Sequence, residues 1–312
     1  TKGEAQRSIA RGYSEMPQVI IIGAGPAGIT CARELKEAGV SSVVVEAQER
    51  IGGRIMNSHE SSDPVLRNFS KLPMEVGAEF LHGSENNVLL EWIKKNGVKG
   101  KPTAGTMSLK WPNYLYYGKE GRLVDEDGAE KDEDLQRMFK IFDMLGEMDA
   151  DLVPEESLLQ YFARMGVPSR VLDMGDAIFA NDYAAEACHV GIKETVQEQV
   201  TWTYGEDYLV LQDCTYSDIL RDMAEGIDVR CNWKVREVAY SAGESKVAVT
   251  SHGGEVLTGE RVIVCVPQNT LADGDISFKP AIPPTQQQAL SKIRMGNACK
   301  ILIKLNKRIW PK

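Results

Sequence analysis

The stretch from Val19 to Arg54, VIIIGAGPAGITCARELKEAGVSSVVVEAQERIGGR, constrains this chain more than any other. Val19 to Ile22 are all β-branched and predict a short buried strand. They run directly into Gly23-x-Gly25-x-x-Gly28, followed by a helix pattern through Ala32, Leu35 and Ala38. Gly39 suits the left-handed backbone that closes such a helix. A second apolar strand, Val43 to Val45, ends on Glu46. Each part of this βαβ unit has a physical job. Gly23 permits a tight turn, Gly25 lets backbone approach a pyrophosphate, and Gly28 lets helix and strand pack closely. The unpaired N–H groups at the positive end of the helix favour a diphosphate. Glu46 is placed to accept hydrogen bonds from a ribose diol. The unit reads as a dinucleotide site and leaves NAD and FAD both open.

At 312 residues and 43% hydrophobic content the chain can bury a large core, as two domains or as one α/β domain with a large insertion. A formal net charge of −9 argues against nucleic acid as a partner. Cysteines 31, 188, 214, 231, 265 and 299 are scattered, with no CxxC pair and no His/Cys metal spacing. Cys31 and Cys265 read as small buried hydrophobes. Free thiols favour a reducing compartment, so a soluble intracellular protein is expected, with the compartment left open. Histidines 59, 82, 189 and 252 lie far apart, no Ser/His/Asp triad is visible, and no metal is expected. No apolar run approaches the ~18 residues of a membrane span. Residues 1–16 are polar and aperiodic and read as an N-terminal arm.

Further along, Asn86 to Asn96 predicts a helix, and Tyr114–Tyr117 with Arg122–Val124 around Gly118-Lys119-Glu120-Gly121 predicts a hairpin. Acidic residues crowd Val124 to Asp134 and read as a solvated loop entering a helix N-terminus. Leu135, Met138, Phe139, Phe142, Leu145 and Met148 recur at helical steps as a core stripe. Further helices are expected from Glu155 to Gly166 and beyond Pro168-Ser169. The β pattern returns at Tyr208 to Leu211, followed by a helix from Ser217 to Glu225. Short strands are then expected at Asp228–Cys231, Val235–Tyr240, Val247–Ser251 and Val262–Val266. This is an antiparallel meander that leads back into the parallel sheet. Residues 17–84 and 204–270 therefore form a discontinuous cofactor domain, and 85–203 with 271–312 form an inserted α+β domain.

Glu49-Arg50-Ile51-Gly52-Gly53-Arg54 adds a second flexible, cationic turn beyond Glu46. Here the sequence resembles the flavin-dependent amine oxidase superfamily, nearest to its polyamine oxidase and lysine-specific histone demethylase branch. Four ordered motifs carry the resemblance from Val19 to Pro311: the βαβ unit with Arg50 to Arg54, Gly77-Ala78 followed by His82-Gly83, Val264-Cys265-Val266-Pro267 leading to Ile276-x-Phe278-x-Pro280, and Lys300 in an apolar stretch. The resemblance implies a Rossmann-like α/β fold that binds FAD. Gly23, Gly25, Gly28, Glu46, Arg50, Gly52, Gly53 and Arg54 then hold the cofactor, with Gly77, Ala78, Val235 and Pro267. His82 and Lys300 stand as the catalytic candidates, Lys300 on a strand. Gln212-Asp213 departs from the family, which usually has a glycine pair there. Family members also continue well past Trp310-Pro311 into a segment that holds the flavin ring, so the C-terminal part of the pattern is missing from this sequence.

The same resemblance implies oxidation of a small-molecule amine, polyamine-like, with hydride transfer to flavin and reoxidation by O2 to H2O2. A protein partner is compatible with the sequence but not readable from it. Two other classes compete. L-amino-acid oxidases and flavin desaturases share the first two motifs but are less expected to combine His82-Gly83 with Lys300. A non-catalytic flavoprotein-like binding subunit is the third reading.

Overall fold

The computed structural model describes residues 16–109, 114–241 and 245–309. All of the expected N-terminal arm except Met16, and the turn around Gly243, lie outside these residues. The chain divides into two compact units: Thr1–Phe80, Trp92–Thr106 and Leu211–Met295 in one, and Leu81–Glu91, Met107–Val210 and Gly296–Lys312 in the other.

The first unit is built on Val19–Ile22, which pairs in parallel with Arg261–Val264 on one side and Ser42–Val45 on the other. Val229–Arg230 extends this four-stranded sheet beyond Ser42–Val45. Because side chains alternate along a strand, Val19 and Ile21 point to one face and Ile20 and Ile22 to the other. Both faces are covered, which explains the uninterrupted β-branched run. Val19 and Ile21 pack with Ile29 and Ala32 of the helix Pro26–Glu37 and with Leu220 of the helix Tyr216–Met223. Ile20 and Ile22 pack with Trp233, Val238 and Val249. Ile20 and Ile21 are fully buried, each contributing about 1.5–3 kcal/mol relative to exposure.

That second face is roofed by an antiparallel sheet of Val256–Gly259, Val247–Ser251 and Val235–Tyr240, to which Ser277–Lys279 adds in parallel. Val256–Gly259 and Ser277–Lys279 are strands that the sequence pattern does not announce. Each is short, and each is fixed by its neighbours more than by its own alternation. The expected return to the parallel sheet is observed, at Arg261–Val264.

Helices dominate the second unit. Its core joins Leu135 and Met138 of the helix Glu133–Asp143, Leu158 and Phe162 of Leu158–Arg164, and Ile192 and Val196 of Ile192–Thr201. The apolar stripe continues past Asp143 in a 3₁₀ turn, where Leu145 is fully buried. The hairpin Tyr114–Tyr117 and Arg122–Asp125 is present, with Gly121 donating to the Tyr117 carbonyl at 2.8 Å. The acidic run does more than solvate a loop. Asp125 caps the short helix Glu126–Glu130, Asp132 caps Glu133–Asp143, and Arg170 bonds Asp132, Asp134 and Glu120.

Residues 296–305 form no strand, contrary to expectation. Ile301 and Ile303 have the right alternation but are 79% and 73% exposed. A strand exists only where a neighbour completes its ladder, and no described segment pairs here. Among the described residues no helix is long and apolar enough to cross a membrane.

Candidate functional site

The first βα turn carries the geometry its glycines predict. A Cβ on Gly28 would stand 1.9 Å from the Gly23 carbonyl oxygen, so only glycine allows the helix to close onto the strand end. A Cβ on Gly25 would meet nothing within 4 Å. Gly25 is extended, at φ −74° and ψ −179°, and caps the helix Pro26–Glu37 without any side-chain hydrogen bond. The open space thus lies at a helix N-terminus whose first N–H groups lack side-chain partners. An anion is the natural complement of such a position.

Glu46 ends the second strand and is only 7% exposed. Its Oε2 accepts from the Ala24 N–H and its Oε1 from the Gln48 N–H, both at 2.8 Å. The carboxylate therefore pins the glycine-rich loop while each oxygen keeps capacity for a hydroxyl donor. Trp233 donates its N–H to the Glu46 carbonyl at 2.7 Å, which brings the segment entering Val235 to the same strand end. Val235 itself is buried in the apolar layer between the two sheets.

The second turn folds back on the first. Gly52 donates to the Ala24 carbonyl at 2.9 Å, and Gly53 lies against the Gly25 Cα. Gly52 and Gly53 have φ of 115° and 56°, values that favour glycine. Arg50 is committed to this turn. Its guanidinium donates to the carbonyls of Ile51, Gly53 and Ile55 at 2.9–3.1 Å. The Arg54 side chain is exposed and makes no hydrogen bond or ion pair among the described residues, while its carbonyl accepts from the Ala78 N–H at 3.4 Å. The sequence presents two similar arginines; the structure gives one to the backbone and one to solvent.

Gly77 and Ala78 sit beside the same loop. A Cβ on Gly77 would lie 1.8 Å from the Arg54 carbonyl oxygen, so its smallness serves a backbone-to-backbone approach. Glu75 anchors the segment by accepting from the Tyr216 N–H at 2.8 Å, at the start of the helix Tyr216–Met223. Glu75 is the acid that opens the segment leading to Gly77-Ala78 and His82-Gly83, but the sequence carries no signal that it pairs with Tyr216. Burial, and next the Glu75 carboxylate, push the Tyr216 phenol above its ordinary range. Asp213, where a glycine is usual, adopts φ 58° and so keeps a left-handed backbone with a side chain that tolerates it. A cleft of about 400 Å³ beside Arg50 is lined by Glu60, Ser217 and Arg221, whose polar groups pair with one another.

Pro267 is exposed and starts the helix Gln268–Ala272, while Cys265 just before it donates to the Ile22 carbonyl at 2.8 Å. All the expected cofactor residues belong to the first unit, whereas His82 and Lys300 belong to the second. His82 is exposed, with its ring edge-on to Tyr208 at 5.1 Å between centroids. Lys300 is exposed as well. The residues present fit a dinucleotide at the adenosine-diphosphate end: an unfilled helix N-terminus, a buried carboxylate beside it, and a second loop closing over both.

Comparison with known proteins points the same way. The chain is 27% identical to polyamine oxidase 2 of Arabidopsis thaliana over 95% of its own length and 60% of that protein. It is 26% identical to the human lysine-specific histone demethylase 2 over 94% of its length and 35% of that protein. Wild-type putrescine oxidase bound to putrescine superposes with a TM-score of 0.69 at 22% identity, over 89% of this chain and 63% of that one. Cyclohexylamine oxidase from Brevibacterium oxydans gives 0.69 at 20%, over the same shares. The chain thus spans about 60% of the length of the polyamine oxidases it matches. The model of the flavin containing amine oxidoreductase family matches residues 26–312, and the chain belongs to that family, whose cofactor is FAD.

Proposed function

We propose that this chain forms the FAD-holding and part of the substrate-holding portion of an amine oxidase acting on polyamine-like amines. The observation that carries the reading is the open position at Gly25, on an uncapped helix N-terminus between the pinned carboxylate of Glu46 and the folded-back Gly52-Gly53 turn. The chemistry a bound FAD would supply is that of a two-electron acceptor for the hydride on the carbon bearing the amine, with O2 as the final oxidant and H2O2 as its product.

The chain's own residues divide the remaining work. The N–H groups at the start of Pro26–Glu37 take the diphosphate, and Glu46 accepts from the ribose hydroxyls of the adenosine. Arg50 holds the double-glycine turn in register against Ala24 through its three backbone acceptors. Gly77 and Ala78 complete that wall, and Val235 and Pro267 belong to the adenosine side. His82 and Lys300 act on the amine side, Lys300 as the group that handles a proton during reoxidation or imine hydrolysis. This role for Lys300 is supported by its place in the family motif. Polyamine oxidases among the relatives and a putrescine-bound oxidase among the structural matches favour an aliphatic amine as substrate.

The test is reconstitution of the full chain with FAD, followed by peroxide release on spermine, spermidine, simple monoamines and amino acids. Release on the polyamines supports the proposal. Release on amino acids alone identifies an amino-acid oxidase instead, and FAD binding without any release identifies a binding subunit.

A further inference from the structure

A cluster outside the residues assigned to the cofactor and the amine lies in the second unit. Glu186, Cys188 and His189 present one carboxylate oxygen, one thiol sulfur and one ring nitrogen that all lie within 4.8 Å of one another. The turn that carries them is fixed from behind. Ala187 is fully buried and Val190 is 7% exposed, so these two sink into the helical core. Their backbone is tied down as well: Leu159 donates to the Ala187 carbonyl at 3.1 Å and Leu158 to the Val190 carbonyl at 2.8 Å. The Ala187 N–H donates to Asp176, and the His189 N–H closes the turn on the Glu186 carbonyl at 2.8 Å. With Ala187 and Val190 held inward, Glu186, Cys188 and His189 are turned together to the outside, and all three are exposed.

Three different donor types on one short, anchored turn form a ligand set more specific than an acidic patch. Thiolate, imidazole and carboxylate together suit a borderline ion such as Zn²⁺ and are poorly matched to Mg²⁺ or Ca²⁺, which prefer oxygen alone. Tetrahedral zinc with bonds of about 2.0–2.3 Å requires its ligands roughly 3.3–3.8 Å apart. The Cys188 sulfur already lies 3.5 Å from a Glu186 carboxylate oxygen. Exposed side chains can close the remaining distance by rotation, without moving the buried anchors. A scan for paired cysteines and histidines misses the cluster, because its third ligand is a carboxylate and its convergence comes from the burial of Ala187 and Val190.

We propose that Glu186, Cys188 and His189 form a three-ligand site for a zinc-like divalent ion, with the fourth position open to solvent. The proposal is independent of the cofactor and of the amine chemistry, so failure of either leaves the other standing.

The test uses the full chain, freed of metal with a chelator and titrated with Co²⁺ and then Zn²⁺. The expected result is one Co²⁺ per chain, with a near-ultraviolet thiolate-to-cobalt band and the intense visible bands of a four-coordinate ion, all removed by Zn²⁺. Cys188→Ser should abolish the thiolate band. Glu186→Gln and His189→Gln should each weaken Zn²⁺ binding by more than about tenfold. Since all three positions are exposed, the metal-free melting temperature should be unchanged in every variant. Absence of the thiolate band in the unmodified chain overturns the proposal. So does a band that survives Cys188→Ser, which would assign the metal to another of the cysteines.

Discussion

Two glycines of the same turn should respond to alanine in opposite ways. At Gly28 the new Cβ would overlap the Gly23 carbonyl oxygen at 1.9 Å, against backbone and not against a flexible side chain. Relief requires the helix Pro26–Glu37 to move off the strand that forms the core of its unit, a cost of roughly 3 kcal/mol or more. That corresponds to a fall of roughly 6–12 °C in melting temperature for a unit of this size. At Gly25 the same methyl enters empty space, and its φ of −74° is open to any L residue. Gly25→Ala should therefore leave the FAD-free protein as stable as before, or slightly more so through a restricted unfolded chain. Its effect should fall on the cofactor, because the methyl occupies the approach to the helix N–H groups. Loss of one hydrogen bond to a charged phosphate is worth about 1.5–3 kcal/mol, which is roughly 10- to 150-fold in affinity. Thermal melts of the FAD-free variants and FAD titrations followed by quenching of flavin fluorescence separate the two effects. If Gly25→Ala bound FAD as tightly as the unmodified chain, the diphosphate would not approach at this turn, and the reasoning from open space would be wrong.

Other consequences can be checked alongside. Glu46→Gln replaces one of the two oxygens that accept separately from Ala24 and Gln48 with an NH₂ group that cannot accept; the orphaned donor should cost about 1–3 kcal/mol, seen as a lower melting temperature without FAD. Burial opposes ionisation of Asp132, but the Arg170 guanidinium and the Leu135 N–H outweigh it and hold the carboxyl at about 2. A depressed folded pKa gives stability that is complete above the unfolded value near 3.8 and is lost as pH falls through about 2. With Arg170 34% exposed, solvent screening limits this to about 1 kcal/mol; urea unfolding across that pH range should show the slope, and Asp132→Asn should flatten it. Lys300→Met should slow turnover or flavin reoxidation while leaving FAD bound, as stopped-flow absorbance can show; unchanged kinetics would remove Lys300 from the mechanism.

The parts of the fold that are legible in the sequence are those whose cause is local. Val19–Ile22 announces a strand covered on both faces because no polar residue interrupts it, and both faces are indeed packed. The glycine spacing up to Gly28 is likewise dictated within a few residues. Val256–Gly259 and Ser277–Lys279 stay hidden because their partners, not their own patterns, make them strands. The stretch around Lys300 shows the converse: Ile301 and Ile303 alternate as a strand should, yet no strand among the described residues forms a ladder with them and the segment stays irregular. Within the site, the sequence marks Arg50 as a cation but cannot show that its partners are main-chain carbonyls of its own turn. Nor can it show that Glu75 reaches the start of a helix far along the chain.

The central claim is that the βαβ turn from Gly23 to Gly28, with Glu46, grips the adenosine-diphosphate half of FAD. A crystal structure of the full chain grown with FAD tests it most directly. If the claim holds, diphosphate oxygens will lie within hydrogen-bonding distance of the N–H groups at the start of Pro26–Glu37, and ribose hydroxyls will sit on Glu46 with its bonds to Ala24 and Gln48 intact. Density for the diphosphate elsewhere, or FAD bound with Glu46 untouched, would contradict it.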